Sequence, residues 1–369
     1  MSARRYVRAM QTLPPLRWGI LGTGRILAKY VEAFRLARDA QVVAVASRDA
    51  ERARAAAASL GAARAYGSYD ALLADPGIDV IVNALHNGVH CEWTVLALQA
   101  GKHVLCEKPL ACSSAEVEQM FAAAHASKRW LMEGFMYRYH PQIAMVARQI
   151  HDGDIGQPLY IRADYMGRGR DRKNPRYLAE AGGGALMDLG CYCVNLARLV
   201  AGCEPQQAQA QAHFDVQSGV DLTLTGALVF GGSVRSAPSA QQKLRPSTSL
   251  TAHLTCSFES EGLFGADIVG TEGRIVIPHP WLPPTWPSEY MVTRGGKSET
   301  VRVAPPDMPP HFAVPFALEI EHFAVCVREN RAPQFPPGVD AEQDSRANMQ
   351  AIEALRESAH IGKPVEVKY

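Results

Sequence analysis

A lysine between a glutamate and a proline ends a short apolar run in Gly101-Lys102-His103-Val104-Leu105-Cys106-Glu107-Lys108-Pro109. Val104, Leu105 and Cys106 read as a buried strand, and in open parallel α/β sheets ligands bind just outside strand carboxyl ends. Lys108 is therefore an ammonium offered to a ligand on a backbone that Pro109 stiffens. A second stretch, Gly182-Gly183-Gly184-Ala185-Leu186-Met187-Asp188-Leu189-Gly190-Cys191-Tyr192, feeds glycines into an apolar helix. Asp188 and Tyr192 are four apart on it and share a face. An acid and a phenol there complete a proton-transfer set with Lys108. A free tyrosine, with a pKa of about 10, is a poor base at neutral pH. An ammonium within about 4–6 Å stabilises the phenolate and lowers that pKa. On spacing alone the competing assignment is Tyr192 as a core aromatic and Asp188 as a helix N-terminal charge.

Strands and helices must bring these groups together. Leu16 to Leu21 is an apolar strand, followed at once by Gly22-Thr23-Gly24-Arg25-Ile26-Leu27 and a helical pattern to about Arg38. A strand, a G-x-G turn and a helix start form the fingerprint of dinucleotide binding: the glycines make the turn and admit the pyrophosphate, and the helix N-terminus offers free N–H groups to it. Gln41 to Ala46 is a second strand. Its tip carries Ser47 and Arg48, with Arg52 one turn into the next helix, where NAD-binding versions place an acid; a hydroxyl and guanidinium groups suit a 2′-phosphate, so NADP is expected. Strands at 78–85, 104–106 and 129–133 alternate with helices, one opened by the capping box Ser113-Ser114-Ala115-Glu116. This grammar predicts a doubly wound parallel sheet.

After about Tyr139 the grammar changes. A helix over 141–150 precedes β-like runs at 158–165, 208–216, 222–230, 249–259, 263–269 and 274–277, and two helices at 315–329 and 341–360 close the chain. Thr, Val and Phe in partial alternation between Gly and Pro predict a mostly antiparallel sheet. The expected division is an arm at 1–15, a nucleotide-binding domain at 16–138 and an α/β domain at 139–369, in keeping with 369 residues and 47% hydrophobic content. A net charge of +1 gives no field to hold nucleic acid or an anionic membrane. Eight cysteines without a C-x-x-C pair suit reduced thiols in the cytosol, and Cys191-Tyr192-Cys193 has no partner cluster for a metal. Arg4-Arg5 lacks a following apolar region, so export is not expected.

Together these motifs resemble the glucose-fructose oxidoreductase / inositol dehydrogenase / MocA family across 16–367: the G-T-G turn, Asn83-Ala84-Leu85-His86-Asn87 with His90, Glu107-Lys108-Pro109, and the glycine run through Tyr192. The stretch 132–141 and Asn174-Pro175-Arg176 are similar to the branch of NADP-dependent xylose dehydrogenases, dimeric dihydrodiol dehydrogenases and aldose-aldose oxidoreductases. The resemblance implies a Rossmann domain followed by an α/β domain whose large open sheet pairs subunits as a homodimer or a dimer of dimers. It puts the catalytic lysine on Lys108, the acid/base on Tyr192 and an orienting acid on Asp188. The cofactor set it implies is Gly22, Thr23, Gly24, Arg25, Ile26, Ser47, Arg48, Arg52, Leu85, His86, Asn87, His90, Glu107 and Lys108. Candidates for holding a sugar or cyclic polyol are Tyr137, Arg138, His140 and Arg176, beside Lys108, Asp188 and Tyr192. Leu27 and Leu85-His86 depart from the family's usual turn residues. The expected reaction is oxidation of an aldose at its anomeric carbon to the lactone with NADP⁺. Exchange between two aldoses with NADP kept bound, oxidation of a trans-dihydrodiol, and an idle NADP-sensing protein are the alternatives.

Overall fold

The computed structural model describes residues 14–169, 171–231, 249–283, 286–304 and 307–369. Of the expected arm, residues 1–13 lie outside the described residues. The first sheet comprises β1 (Leu16–Leu21), β2 (Ala40–Ala46), β3 (Arg64–Tyr66), β4 (Val80–Asn83), β5 (His103–Glu107) and β6 (Leu131–Gly134), all parallel in the order β3-β2-β1-β4-β5-β6. Helices α1 (Leu27–Leu36), α2 (Ala50–Leu60), α3 (Tyr69–Leu73), α4 (His90–Gln99) and α5 (Ser114–Ser127) join them. Covered on both faces, the central strands are continuous apolar runs: β4 is wholly buried. Local chemistry sets the helix ends. Asp49 caps α2 by accepting from the Glu51 and Arg52 amides at 2.9 and 3.2 Å, and Gly61 ends it at φ 66°. Ser113 accepts from Glu116 N at 3.2 Å, opening α5 as the capping box predicts.

The second sheet has nine strands, adding β7 (Pro158–Met166), β8 (Gln207–Phe214), β9 (Asp221–Phe230), β10 (Leu250–Ser257), β11 (Leu263–Gly270), β12 (Gly273–Ile277), β13 (Ser288–Arg294), β14 (Lys297–Val303) and, past the two-residue strands β15 (Gln334–Phe335) and β16 (Val339–Asp340), β17 (Val365–Glu366). Its order is β14-β13-β12-β11-β7-β10-β9-β8-β17, antiparallel except for the β7–β10 pair. The β13–β14 hairpin, turned by Gly295 and Gly296 at positive φ, goes unread in the sequence because Tyr, Met and Glu share its strands. One face is covered by helices α6 (Pro141–His151), α7 (Cys191–Ala201) and α9 (Ala341–Ile361). The other carries Tyr160, Arg162, His253, Asp267 and Met291, in register across β7, β10, β11 and β13.

Helix α8 (Val314–Arg328) crosses back to the first sheet. Phe316 meets the Tyr30 ring at 5.9 Å and Phe323 meets Trp18 at 6.1 Å. Burying each phenylalanine contributes roughly 1.5–3 kcal/mol, and Arg328 adds an ion pair to Asp39 and a bond to the Pro14 carbonyl. Helix α9 ties down α5 through Glu353, which accepts from Ser114 N at 3.0 Å. The crevice at the carboxyl ends of β1, β4 and β5 thus has the second half of the chain as its far wall. The helical stretch Ala179–Ala201 is the one apolar span of membrane length among the described residues, and its most apolar 18-residue window is 83% buried within the protein.

Candidate active site

Lys108 leaves the carboxyl end of β5, and its ammonium donates to the Asp188 carbonyl at 2.6 Å and to Asp188 Oδ1 at 3.0 Å. Arg176 Nε reaches Asp188 Oδ2 at 2.9 Å. Burial is the largest influence on the Lys108 pKa and pulls it down, but Asp188, Cys191 and Glu107 together outweigh it and the net shift is upward. Burial pushes Asp188 up, and Lys108 with Arg176 more than reverse that, leaving it below the usual carboxylate range. Both groups are therefore charged at neutral pH.

The segment that carries Asp188 is not the regular helix its spacing predicts. Leu186–Gly190 forms one π-helical turn before α7 begins at Cys191. Such wide turns are common at functional sites, because the inserted residue redirects carbonyls and side chains. Asp188 and Tyr192 still converge on the same lysine: the ammonium lies 4.9 Å from the centre of the Tyr192 ring.

That placement corrects the expectation of a phenolate. The ammonium sits over the ring face, paired with Asp188, while the Tyr192 hydroxyl points to Met136 Sδ at 3.7 Å. Burial, then Tyr165, Glu107, Cys191 and Asp188, raise the phenol well above its ordinary pKa. Tyr192 is thus a neutral phenol. Around it stand Phe135, Tyr137, Tyr165 and Trp281, with ring centres between 5.5 and 5.8 Å away. Sequence reasoning missed Tyr165 and Trp281, which stack on each other at 5.6 Å and 10°. Tyr165 was legible as the last inward position of β7, in step with Ile161 and Ala163.

Three expected sugar contacts are core residues instead. Tyr137 is fully buried and its hydroxyl donates to Asn195 Oδ1 at 2.5 Å. Arg138 is fully buried on the same Asn195 oxygen and the Pro336 carbonyl, beside Asp344. His140 is 1% exposed, stacked on Trp286, and its Nδ1 accepts from Gln142 N to cap α6; burial lowers its pKa to about 4. A Pro-preceding histidine at a helix start fills a cap, and the arginine is bonded to Asn195 and the Pro336 carbonyl, so neither is free to meet a ligand.

On the nucleotide side the residues fit a dinucleotide. A Cβ on Gly22, at φ +103°, would come within 2.8 Å of the Ala84 carbonyl, whereas one on Gly24 would meet open space. Helix α1 begins with Ile26 at its cap position, has no side-chain cap and has no acid in its first turn; Leu27 N and Lys29 N donate to the Gly24 and Ile26 carbonyls at 3.0 and 2.8 Å, and among the described residues no side chain competes with an anion for the amides beside them. Thr23 Oγ1 is 3.3 Å from Ser47 Oγ at the tip of β2. Arg48 and Arg52 are exposed and have no ion-pair partner among the described residues, while Asp49 is committed to its cap. Arg25 reaches toward Asp171 across the crevice at 3.9 Å. Leu85 is half-buried, the His86 Nδ1 atom is buried with no partner among the described residues, and Asn87 donates to the Gly182 carbonyl at 2.8 Å.

His90 and Glu107 lie behind the crevice rather than in it. The His90 ring nitrogens face the Pro109 and Leu85 carbonyls at 2.9 and 3.1 Å. Burial lowers its pKa to about 4 against those two contacts, so a neutral ring donates to one carbonyl at a time. Glu107 accepts from the Tyr30 hydroxyl at 2.8 Å, joining β5 to α1. These two residues hold the loops that expected ligand contacts would use.

Known proteins share this architecture. The oxidoreductase family with an NAD-binding Rossmann fold matches residues 16–135, and the GFO/IDH/MocA C-terminal domain matches residues 143–276. The chain is 33% identical to D-xylose 1-dehydrogenase (NADP(+)) 2 of Haloferax volcanii, over 95% of this chain and all of that one. It is 35% identical to a trans-1,2-dihydrobenzene-1,2-diol dehydrogenase of Xenopus laevis, over 84% and 89% of the two chains. A 3-ketoreductase of Actinomadura kijaniata, solved with NADP and TDP-benzene, superposes with a TM-score of 0.80 at 27% identity, covering 93% of this chain and 98% of that one. The chain belongs to the GFO/IDH/MocA family of NAD(P)-dependent oxidoreductases.

Proposed function

We propose that this protein transfers a hydride between a sugar and the nicotinamide of NADP, oxidising an aldose at its anomeric carbon to the lactone. The observation that carries the reading is the charged chain Lys108–Asp188–Arg176 lying against the Tyr192 ring at the carboxyl end of β5. NADP is favoured by Ser47 and by Arg48 and Arg52, which have no ion-pair partner among the described residues, beside α1, which has no side-chain cap, and by the cofactor in the names of the xylose dehydrogenase and the 3-ketoreductase structure.

When bound, the nicotinamide supplies the site that accepts or gives the hydride. Everything else falls to the chain. Gly22 and the α1 N-terminus receive the pyrophosphate, and Arg48 with Arg52 meets the 2′-phosphate. Lys108, kept charged by Asp188, donates to the reacting oxygen of the sugar and stabilises negative charge there. Arg176, half-exposed at the other Asp188 oxygen, donates to a neighbouring hydroxyl. Tyr165 and Trp281 form an aromatic wall that excludes water and packs on the apolar face of the ring. Tyr192 holds a proton at its hydroxyl oxygen and gives it to a carbonyl oxygen on reduction. For oxidation the same oxygen must first lose that proton, so this direction accelerates with pH.

The neutral Tyr192 also favours a second reading, reduction of a keto group on a sugar; the structural neighbour is named a 3-ketoreductase. A panel of pentoses, hexoses, dihydrodiols, anhydro-sugars and keto-sugars, followed at the nicotinamide absorbance with each cofactor, tests both. Oxidation of an aldose with NADP⁺, faster at pH 9 than at pH 7, is expected. Reduction of keto-sugars alone supports the second reading, and no turnover on the whole panel defeats both. The face of the nine-stranded sheet that carries Tyr160, His253 and Met291, which no helix covers among the described residues, is proposed to self-associate as a homodimer, which sedimentation tests.

A further inference from the structure

We propose that Asp221 is a positioning residue for the reaction: from β9 it locks the π-helical turn Leu186–Gly190, and with it the Asp188 carbonyl and carboxylate, against Lys108. The proposal rests on the roles given above to Lys108, Asp188 and Tyr192.

Asp221 is the first residue of β9 and is 9% exposed. Its Oδ2 accepts from Leu186 N at 2.6 Å, and the Ala185 N–H also bonds its carboxylate. The third glycine of the glycine run makes room for it. Gly184 sits at φ +121°, and a Cβ there would lie 2.2 Å from Asp221 Oδ1. One carboxylate from a different strand therefore occupies the space an ordinary side chain would fill and binds the first amides of the turn.

What it holds is an unusual backbone. An α-helical turn aims the carbonyl of residue 188 along the axis at the N–H of residue 192. In the wider turn the Asp188 carbonyl reaches the Lys108 ammonium at 2.6 Å. A π-turn is less stable than the α-helix into which it relaxes, so the segment needs an outside restraint. An anion at the amino end of a helix also interacts favourably with its dipole. The charged and titratable groups facing Asp221 are Arg356 of α9 and Cys256 of β10. Burial raises its pKa to about 6 against the amides and Arg356, so the clamp is ionised at neutral pH.

The test uses the full chain with Asp221→Ala, Asp221→Asn and Gly184→Ala. Hydrogen exchange needs no substrate. Exchange over 184–191 is expected to be roughly tenfold faster in Asp221→Ala, with 207–214 unchanged; equal exchange over 184–191 overturns the clamp. With a sugar that the wild type turns over, kcat is expected to fall about tenfold or more in Asp221→Ala with the KM for NADP within about twofold, and Asp221→Asn, which keeps one acceptor oxygen, recovers most of the loss. A folded Asp221→Ala protein with wild-type kcat overturns the proposal. Should Asp221→Ala fail to fold, Gly184→Ala pushes the same carboxylate away and carries both readouts. A wild type that turns over no sugar refutes the sugar reading alone, and exchange then still decides the clamp.

Discussion

Replacing Asp188 by asparagine separates the two charges that organise the crevice. At 3.0 Å the Lys108–Asp188 attraction is about 5 kcal/mol with an effective dielectric of ~20. Roughly half returns in the variant, because the amide oxygen and the backbone carbonyl still accept from the ammonium and a buried lysine sheds its proton rather than stay unpaired. Arg176 is more than half exposed, so losing its pair to Asp188 adds little. The net cost is about 2–3 kcal/mol, which at ~0.8 kcal/mol/K of unfolding entropy for this length lowers Tm by about 3–4 °C. The sign with pH follows from Lys108. Its folded pKa is raised, so the wild-type pair contributes fully below the ordinary lysine value and fades only as pH rises through the folded one. Without Asp188, burial and Arg176 pull Lys108 down, leaving Cys191 and Glu107 to oppose them. The ammonium is then lost at lower pH than in the wild type. Turnover of Asp188→Asn is expected to be about 10–100-fold below wild type at pH 7, with the ratio of the two rates falling further toward pH 10. Steady-state rates across that range measure it. A variant within about threefold of wild type, at a ratio that stays flat to pH 10, refutes the argument that Lys108 acts as a cation held by Asp188.

Tyr192→Phe keeps the ring beside Lys108 and removes the proton; turnover should fall about 100-fold or more, while NADP affinity measured by fluorescence titration stays unchanged. Arg48→Ala and Arg52→Ala should each weaken NADP about 5–10-fold and leave NAD binding as it was, as competition titrations read. Glu319 is fully buried on α8, neither of its carboxyl oxygens has a partner among the described residues, and burial, Glu107 and Glu133 raise its pKa well above the ordinary value. A raised acid favours the fold at low pH and loses that contribution as pH rises through the folded pKa. Glu319→Gln should therefore gain stability relative to wild type at pH 9 over pH 5, and thermal melts showing the opposite order would exclude a protonated Glu319.

Much of the fold is legible because the first sheet obeys local rules. Buried parallel strands are apolar throughout, helix starts advertise Asp49 and Ser113, and helix ends advertise Gly61. The second sheet is harder. Its strands alternate only in part, and β13 and β14 carry Glu, Arg, Lys and Ser at an edge that faces water. The helix α8 reads correctly as a helix, yet nothing in Val314–Arg328 says that it packs on Trp18 of β1 and Tyr30 of α1. That contact joins positions about three hundred residues apart, and pattern alone has no access to it.

The site divides along the same line. Lys108 and Asp188 are legible because a charge at the end of a buried strand and an acid after a glycine run each break a local pattern. Tyr137, Arg138 and His140 break the pattern as strongly and yet sit in the core. What separates the two groups is whether partners elsewhere in the chain already satisfy them. Asn195 and Asp344 do so for Tyr137 and Arg138, and the Gln142 amide does so for one nitrogen of His140. Lys108 and Asp188 satisfy each other as well, but they do so at the carboxyl ends of parallel strands, beside a half-exposed Arg176 and a helix with uncapped amides. A polar residue in an apolar context is therefore a signal of either function or internal bonding. The choice turns on whether its bonds leave it facing the crevice, which is a property of the fold.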